Sequence, residues 1–369
     1  MEAFLAATRN YLANLNNCQL VRVILGNPTC DLDSAVCALA HGFLEYKEAE
    51  ERGDESLAVI PVMNVSRQEF RLRTEVVYYL KRCNVPQDLL TFRNEIELKP
   101  LLASGKLELV LVDHHALPAD DAELSPAVLE VIDHRPQDSN WPWTNCRLAL
   151  DTVGSCATLV ARNIIQRRPD VAATVASLLK GPILIDTANF SEEAKRATPL
   201  DHEMIAKLEE ISDGDAQDRE KLYQEILQAK TNISELTPAD LLIRDLKVVN
   251  GVPIPGFPIL VKDFLELDGA REALEAFCAA RNCQLAVLIG LDLRNDRVTR
   301  DIAVYSLGAG QLANKLIEAL TASSSPDLQL MEAKRTQQDG GNSLLLLYKQ
   351  ANLQASRKQI LPIIQSASA

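Results

Sequence analysis

The sequence predicts an α/β protein in two parts: a parallel sheet covered by helices in the first half, and a smaller mixed-sheet α/β domain in the second. Three observations predict it. The apolar runs of the first half are nearly continuous rather than alternating, as in strands buried on both faces. Segments with helical spacing separate these runs. Polar clusters recur just past their carboxyl ends, the edge where open α/β sheets place their sites.

Leu20–Leu25 (LVRVIL) is the first strand and ends at Gly26-Asn27. Ser34 to Lys47 is helical, with Val36, Leu39, Phe43 and Leu44 spaced to share a face. Leu57 to Val62 reads as a strand, Glu75 to Arg82 as a helix, and Leu107 to Val112 (LELVLV) as another strand. Ala127 to Ile132 is a further strand and Ala157 to Gln166 a helix. A chain of 369 residues exceeds what one compact core usually reaches. The polar stretch Ser191 to Pro199 is the natural break, giving domains 1–192 and 205–369 with a linker at 193–204. The second half has strands near Leu246–Val249, Ile259–Lys262, Leu285–Leu293, Asp301–Tyr305 and Leu344–Tyr348, with helices between.

Composition narrows the function classes. With 38 basic and 51 acidic residues the net charge is −13, which argues against extended nucleic acid as a partner. It leaves a small anionic substrate open, because bound divalent cations and a few basic residues make a site locally positive. No apolar run approaches the ~20 residues that span a bilayer. Eight cysteines without a CxxC pair indicate a reducing compartment rather than a disulfide scaffold or a sulfur-ligated zinc. Met1 to Asn17 lacks a secretory layout, so cytoplasm is the expectation; Arg9 and few acids keep the mitochondrial matrix as the alternative.

Asp31 and Asp33 follow the first strand where a helix begins. They suit helix capping, and in a turn they equally aim two carboxylates at one hard cation. Asp113-His114-His115 follows LELVLV directly, and His134 lies in Asp133-His134-Arg135-Pro136 after another strand. Three of only five histidines thus fall at two strand ends. Asp186 closes the apolar run Pro182 to Ile185 and supplies a further oxygen. Mixed carboxylate and imidazole ligation suits Mn²⁺, Mg²⁺ or Co²⁺. Two such ions about 3.5–4 Å apart would activate water and neutralise phosphoryl charge. Ser34 and Ser155 have no evident histidine partner, so water is the simpler nucleophile.

These segments resemble the DHH phosphoesterase superfamily, and within it the prune and exopolyphosphatase branch. The carriers are GNPTCDLDS, LVDHH, VIDHRP, VGSCATLV and LLIRDLK, with SRKQILP near the end, over about Gly26 to Pro362. Asp-His-Arg-Pro in place of Asp-His-His, with the full VGSCATLV, points to prune. The resemblance implies a metal-holding DHH domain and a DHH-associated domain that closes over it, with the site in the cleft between them. It implies two divalent cations: Asp113 bridging them, Asp31 on one, Asp33 on the other, and His134 and Asp186 completing the second. Asn27 stands where pyrophosphatase relatives have a metal-binding histidine, which weakens one site. Arg135 replaces the histidine that faces the substrate phosphate; it can bind phosphate but cannot act as a general acid near neutral pH. Proton handling is left to His114 or His115.

Substrate contacts are expected from Arg135, Ser155, Lys247, Arg357 and Lys358. Gly154-Ser155 opens a helix and either binds an anion or simply caps it. Arg357-Lys358 opposes a helix dipole, which favours a ligand-driven reason. Lys247 matches the family's Asp-x-Lys. The expected function is hydrolysis of short polyphosphates, tri- and tetraphosphate, slower than a true pyrophosphatase. The alternative is a cyclic-nucleotide or short-oligonucleotide phosphodiesterase, for which Trp141 and Trp143 would offer a base platform or else pack. Relatives also bind protein partners, so a partner-binding regulator with residual catalysis is a further alternative. Retention of Asp31, Asp33, Asp113 and Asp186 argues for chemistry.

Overall fold

The computed structural model describes residues 1–141, 143–212, 219–292, 298–308, 310–337 and 343–368. Leu293, the last residue of one expected strand, and Ala369 lie outside the described residues. The chain forms two compact units, Met1–Asn232 and Ile233–Ala369.

The first unit runs α1 (Glu2–Ala13), β1 (Leu20–Leu25), α2 (Leu32–Arg52), β2 (Leu57–Met63), α3 (Arg67–Phe70), α4 (Thr74–Arg82), β3 (Thr91–Phe92) and α5 (Leu98–Ala103). It continues with β4 (Leu107–Val112), β5 (Val128–Asp133), β6 (Arg147–Leu150), α6 (Cys156–Arg167), α7 (Pro169–Asp186), α8 (Pro199–Ile211) and α9 (Arg219–Thr231). Its six strands pair in the order β3-β2-β1-β4-β5-β6, all parallel. Both faces are buried, which is why the strands read as continuous apolar runs. On β1, Val21, Val23 and Leu25 join one core cluster, while Ile24 joins the other beneath α2, α6 and α7.

Helix α2 shows how local chemistry sets an element. Asp31 is its N-cap, accepting from the Ser34 N–H at 3.1 Å, and Gly53 ends it in the left-handed conformation at φ 65°. Between them His41, Phe43, Leu44 and Glu45 are all buried.

The second unit contains α10 (Pro238–Arg244), β7 (Leu246–Val249), β8 (Val252–Phe257), α11 (Val261–Phe264), α12 (Ala270–Ala280), β9 (Leu285–Asp292) and β10 (Thr299–Leu307). It ends with α13 (Gln311–Thr321), β11 (Leu330–Gln337), β12 (Ser343–Gln350) and α14 (Arg357–Ser368). The strand order is β11-β12-β10-β9-β8-β7, mixed because β8 and β9 run parallel while the other pairs are antiparallel.

Two expectations differ from the structure. The stretch read as a linker at 193–204 lies inside the first unit, which extends to Asn232. Thr198 and Asp201 form a capping box that starts α8, and α8 buries Met204, Ile205 and Leu208 in the first core. Its polar residues are turn and cap groups of a packed helix pair rather than a tether. The strand expected at Ile259–Lys262 is also not there. The Asp301 carboxylate takes the Val261 and Lys262 N–H groups at 2.7 and 3.0 Å, which starts α11 instead. The strand lies at Val252–Phe257, whose prolines discourage a strand reading but are tolerated beside the short edge strand β7.

Candidate metal centre

The strand order dictates where a site can form. From β1 the sheet grows one way through β2 and β3, and the other way through β4, β5 and β6. The loops leaving β1 and β4 therefore diverge and open a crevice at their carboxyl ends. The segment Asn27 to Asp33 follows β1, Asp113 follows β4, and His134-Arg135 follow β5. Asp186 arrives separately, as the last residue of α7.

Asp33, Asp113 and His134 each offer a ligand atom, all within 4.8 Å of one another. Asp113 sits in the left-handed conformation at φ 58°, with its N–H donated to the Ile132 carbonyl at 2.9 Å. Asp tolerates that conformation better than most residues, at a cost of about 1 kcal/mol. Its Oδ2 accepts from Asn27 Nδ2 at 2.6 Å. Its Oδ1 faces His134 Nε2 at 3.4 Å and Arg135 Nη2 at 3.2 Å. His134 Nδ1 lies 3.1 Å from the Val153 carbonyl, so that nitrogen carries the proton and Nε2 is the one presented to Asp113. Arg135 also donates through Nη1 to the Asp113 carbonyl at 2.8 Å, while its side chain stays 48% exposed.

Asp33 has a second job. Its two oxygens accept the Cys156 and Ala157 N–H groups at 2.7 and 2.8 Å, so it caps α6 across the core. These are the amides expected to greet an anion beside Gly154-Ser155, and the Asp33 carboxylate already occupies them. Ser155 itself is fully buried, with a hydroxyl that has no hydrogen-bond partner among the described residues.

The electrostatics follow from crowding acids in a closed space. Burial, then Asp33, pushes Asp113 up to about 8, with His134 pulling the other way. Burial, then Asp33 and Asp31, raises Asp186 well above the carboxylate range, and one of its oxygens is buried without a partner. Burial and Asp33 raise Asp31 as well. Burial alone would depress His134, but Asp113 and Asp33 carry it up to about 9. Three carboxylates, Asp31, Asp113 and Asp186, raised by burial and by the acids beside them, mark a set short of positive charge. The donor set and the orphaned Asp186 oxygen therefore fit divalent cations held by oxygen and imidazole.

Asp31 and Asp186 act on this cluster electrostatically but lie outside the 4.8 Å group. Asn27 is present, nearly buried, and bonded to Asp113. The two adjacent histidines differ. His115 uses Nδ1 toward Asp133 Oδ2 at 2.5 Å and accepts the Asp138 N–H on Nε2 at 2.9 Å, so both nitrogens are engaged. His114 uses Nδ1 on the Val112 carbonyl at 3.0 Å, leaving Nε2 buried without a partner. Burial lowers its basicity.

In the second unit, Arg357 is bound to Asp245, to the carbonyl at 2.7 Å and to Oδ1 at 2.6 Å. Lys247 and Lys358 are exposed. Trp141 and Trp143 stack with centroids 5.5 Å apart, but both pack on the second core cluster, and Trp143 Nε1 donates to the His115 carbonyl at 2.7 Å. They are packing residues.

Two acids escaped the sequence reading. Asp133, fully buried, orients His115 and takes the His134 N–H at 2.8 Å. Its position inside VIDHRP was a signal. Asp201, also fully buried, accepts from Gly154 N at 2.8 Å, Thr158 Oγ1 at 2.5 Å, and the Thr198 N–H and hydroxyl at 2.7 Å. It ties the Val153–Ser155 turn to α8 from 47 residues away, and nothing local announces it.

A six-stranded parallel sheet with an acid–imidazole cluster at its switch point defines an α/β protein built to hold divalent cations. The family model of the DHHA2 domain matches residues 224–367. Over its whole length the chain is 37% identical to the Bos taurus protein named exopolyphosphatase PRUNE1, covering 79% of it. A manganese-dependent inorganic pyrophosphatase assigned in Streptococcus equi subsp. equi is 26% identical over 47% of this chain and 55% of its own. A solved structure assigned to the family II inorganic pyrophosphatases, from Methanococcus jannaschii, shares the fold with a TM-score of 0.54 at 22% identity. It covers 94% of this chain and 99% of its own. The chain belongs to the prune branch of the DHH phosphoesterase superfamily.

Proposed function

We propose that this protein hydrolyses phosphoanhydride bonds in short inorganic polyphosphates, tri- and tetraphosphate, with Mn²⁺ or Mg²⁺. The observation that carries the reading is the crowded set Asp31, Asp33, Asp113 and Asp186 around His134, in which burial and the neighbouring acids raise Asp31, Asp113 and Asp186. The exopolyphosphatase name of the Bos taurus relative and the manganese dependence of the Streptococcus equi relative support the same chemistry. Divalent cations held by these residues would lower the pKa of a water and neutralise charge on phosphoryl oxygens.

The residue roles follow. Asp31, Asp33, Asp113, His134 and Asp186 hold the metals, and Asn27 orients Asp113 where a histidine would otherwise ligate. Arg135, half exposed beside Asp113, binds the substrate phosphate. In the second unit the exposed Lys247 and Lys358, with Arg357 oriented by Asp245, are that unit's own anion contacts, whereas Ser155 is fully buried beside amides that Asp33 already takes. His114 is the better proton carrier of the pair, because both nitrogens of His115 are occupied. Among the described residues no helix is long and apolar enough to cross a membrane. The protein's eight free cysteines suit a reducing compartment, the cytoplasm first and the mitochondrial matrix as the alternative.

Phosphate release from tripolyphosphate, pyrophosphate, cyclic AMP and a dinucleotide, each with Mg²⁺ or Mn²⁺, tests the proposal. Tripolyphosphate should be the best substrate. Preference for cyclic AMP would overturn the substrate, and release from none would overturn the activity.

A further inference from the structure

A second set of ligating side chains lies under α2, toward the amino-terminal ends of the strands. His41 is completely buried, and neither of its ring nitrogens has a hydrogen-bond partner. Its Nε2 is 3.8 Å from Glu45 Oε1 and 3.8 Å from Glu130 Oε2. Those distances are too long for hydrogen bonds. The three ligand atoms nonetheless converge within 4.8 Å of one another.

The geometry has a source in the sequence. His41 and Glu45 are one turn apart on α2, so they share a face. Glu130 projects toward them from β5. Ligands bonded to one tetrahedral ion at ~2.0–2.2 Å stand ~3.3–3.6 Å apart. The two 3.8 Å separations from His41 Nε2 need only a few tenths of an ångström of contraction, and the two carboxylate oxygens stand within 4.8 Å of each other.

Charge points the same way. Arg22 bonds Glu45 at 2.5 Å and Glu108 at 2.6 Å, Arg167 bonds Glu45 at 2.8 Å and Glu48 at 2.6 Å, and Arg147 bonds Glu130 at 2.7 Å. Four carboxylates thus surround three closely paired guanidiniums; Arg52 approaches Glu48 only at 3.8 Å from the exposed side. The arginines hold the carboxylates in place, and Glu45 Oε1 and Glu130 Oε2, each taking one arginine bond, have a second lone pair to offer. Burial keeps the imidazole neutral against the pull of Glu130 and Glu45, which is the form that ligates. A buried imidazole with both nitrogens unpaired loses its hydration without compensation unless something occupies the gap.

We propose that His41, Glu45 and Glu130 bind a structural transition-metal dication of the Zn²⁺ class, separate from the Asp113 centre, with water in the fourth position. Imidazole favours such an ion over Mg²⁺. The site is closed to solvent at His41, so the ion enters as the chain folds. The full chain, expressed in zinc-supplemented medium and crystallised, would be measured by anomalous diffraction on both sides of the zinc edge. A peak at bonding distance from His41 Nε2 is expected. Zinc only at the Asp113 cluster, or none at all, overturns the site. In solution, His41→Leu should lose one zinc equivalent per chain relative to the unmodified protein. Glu130→Gln should lose the same equivalent and serves if the first variant does not fold; unchanged stoichiometry in the folded variants refutes the assignment. Phosphate release does not enter this test, so it stands or falls apart from the proposed activity.

Discussion

Stripping divalent cations with a chelator should make the first unit less stable the higher the pH. Folded Asp113 keeps its proton up to about 8, against an ordinary value of 3.8, so the folded state binds more protons throughout that window. Stability therefore falls as pH rises across it. His134 acts in the same direction: its contribution is complete below 6.5 and is lost as pH rises through about 9. The Asp113 window alone, at ~1.36 kcal/mol per pH unit, sets a ceiling of roughly 5–6 kcal/mol. Asp113 and His134 titrate as a pair across 3.4 Å, so about half of that ceiling, ~2–3 kcal/mol between pH 5 and 9, is the expected loss. Both tryptophans, Trp141 and Trp143, lie in the first unit, so their fluorescence during urea denaturation reports that unit alone. Saturating Mn²⁺ should flatten the dependence, because a ligand of the folded state replaces the missing positive charge. A chelated protein whose stability is constant or rises from pH 5 to 9 would refute the reasoning. An unchanged slope in Asp113→Asn would refute it too.

Three further outcomes are expected. Asp113→Ala should abolish phosphate release and metal stoichiometry together, read by phosphate assay and metal analysis; normal turnover would remove Asp113 from the centre. Arg135→His should speed pyrophosphate turnover several-fold, because an imidazole restores a group that can donate a proton where the guanidinium cannot; a slower variant would show that the Arg135 bond to the Asp113 carbonyl matters more. Asp201→Ala leaves the Gly154 amide and two threonine hydroxyls without their acceptor, so denaturation should show a loss of about 2–4 kcal/mol. A loss under ~1 kcal/mol would mean that the Val153–Ser155 turn holds itself.

By itself the sequence determined what local pattern can encode. Continuous apolar runs marked β1, β2, β4 and β5 because burial on both faces leaves no room for alternation. The same pattern marked the loops after them as the site, and the scarcity of histidine drew attention to His114, His115 and His134. Tertiary structure decided whatever depends on groups distant in the chain. The sequence marks Asp33 as a ligand but not as the cap of α6, and it marks Asp201 not at all. Only folding places one on the amides of α6 and the other on Gly154, across 123 and 47 residues. Only packing shows that His115 is fully engaged while His114 keeps a nitrogen unpaired, since that depends on Asp133 and Asp138 rather than on neighbours of either histidine. The stretch read as a linker failed for a related reason. Polar residues at a helix cap and in a tether look alike until the apolar face of α8 is seen to meet the core.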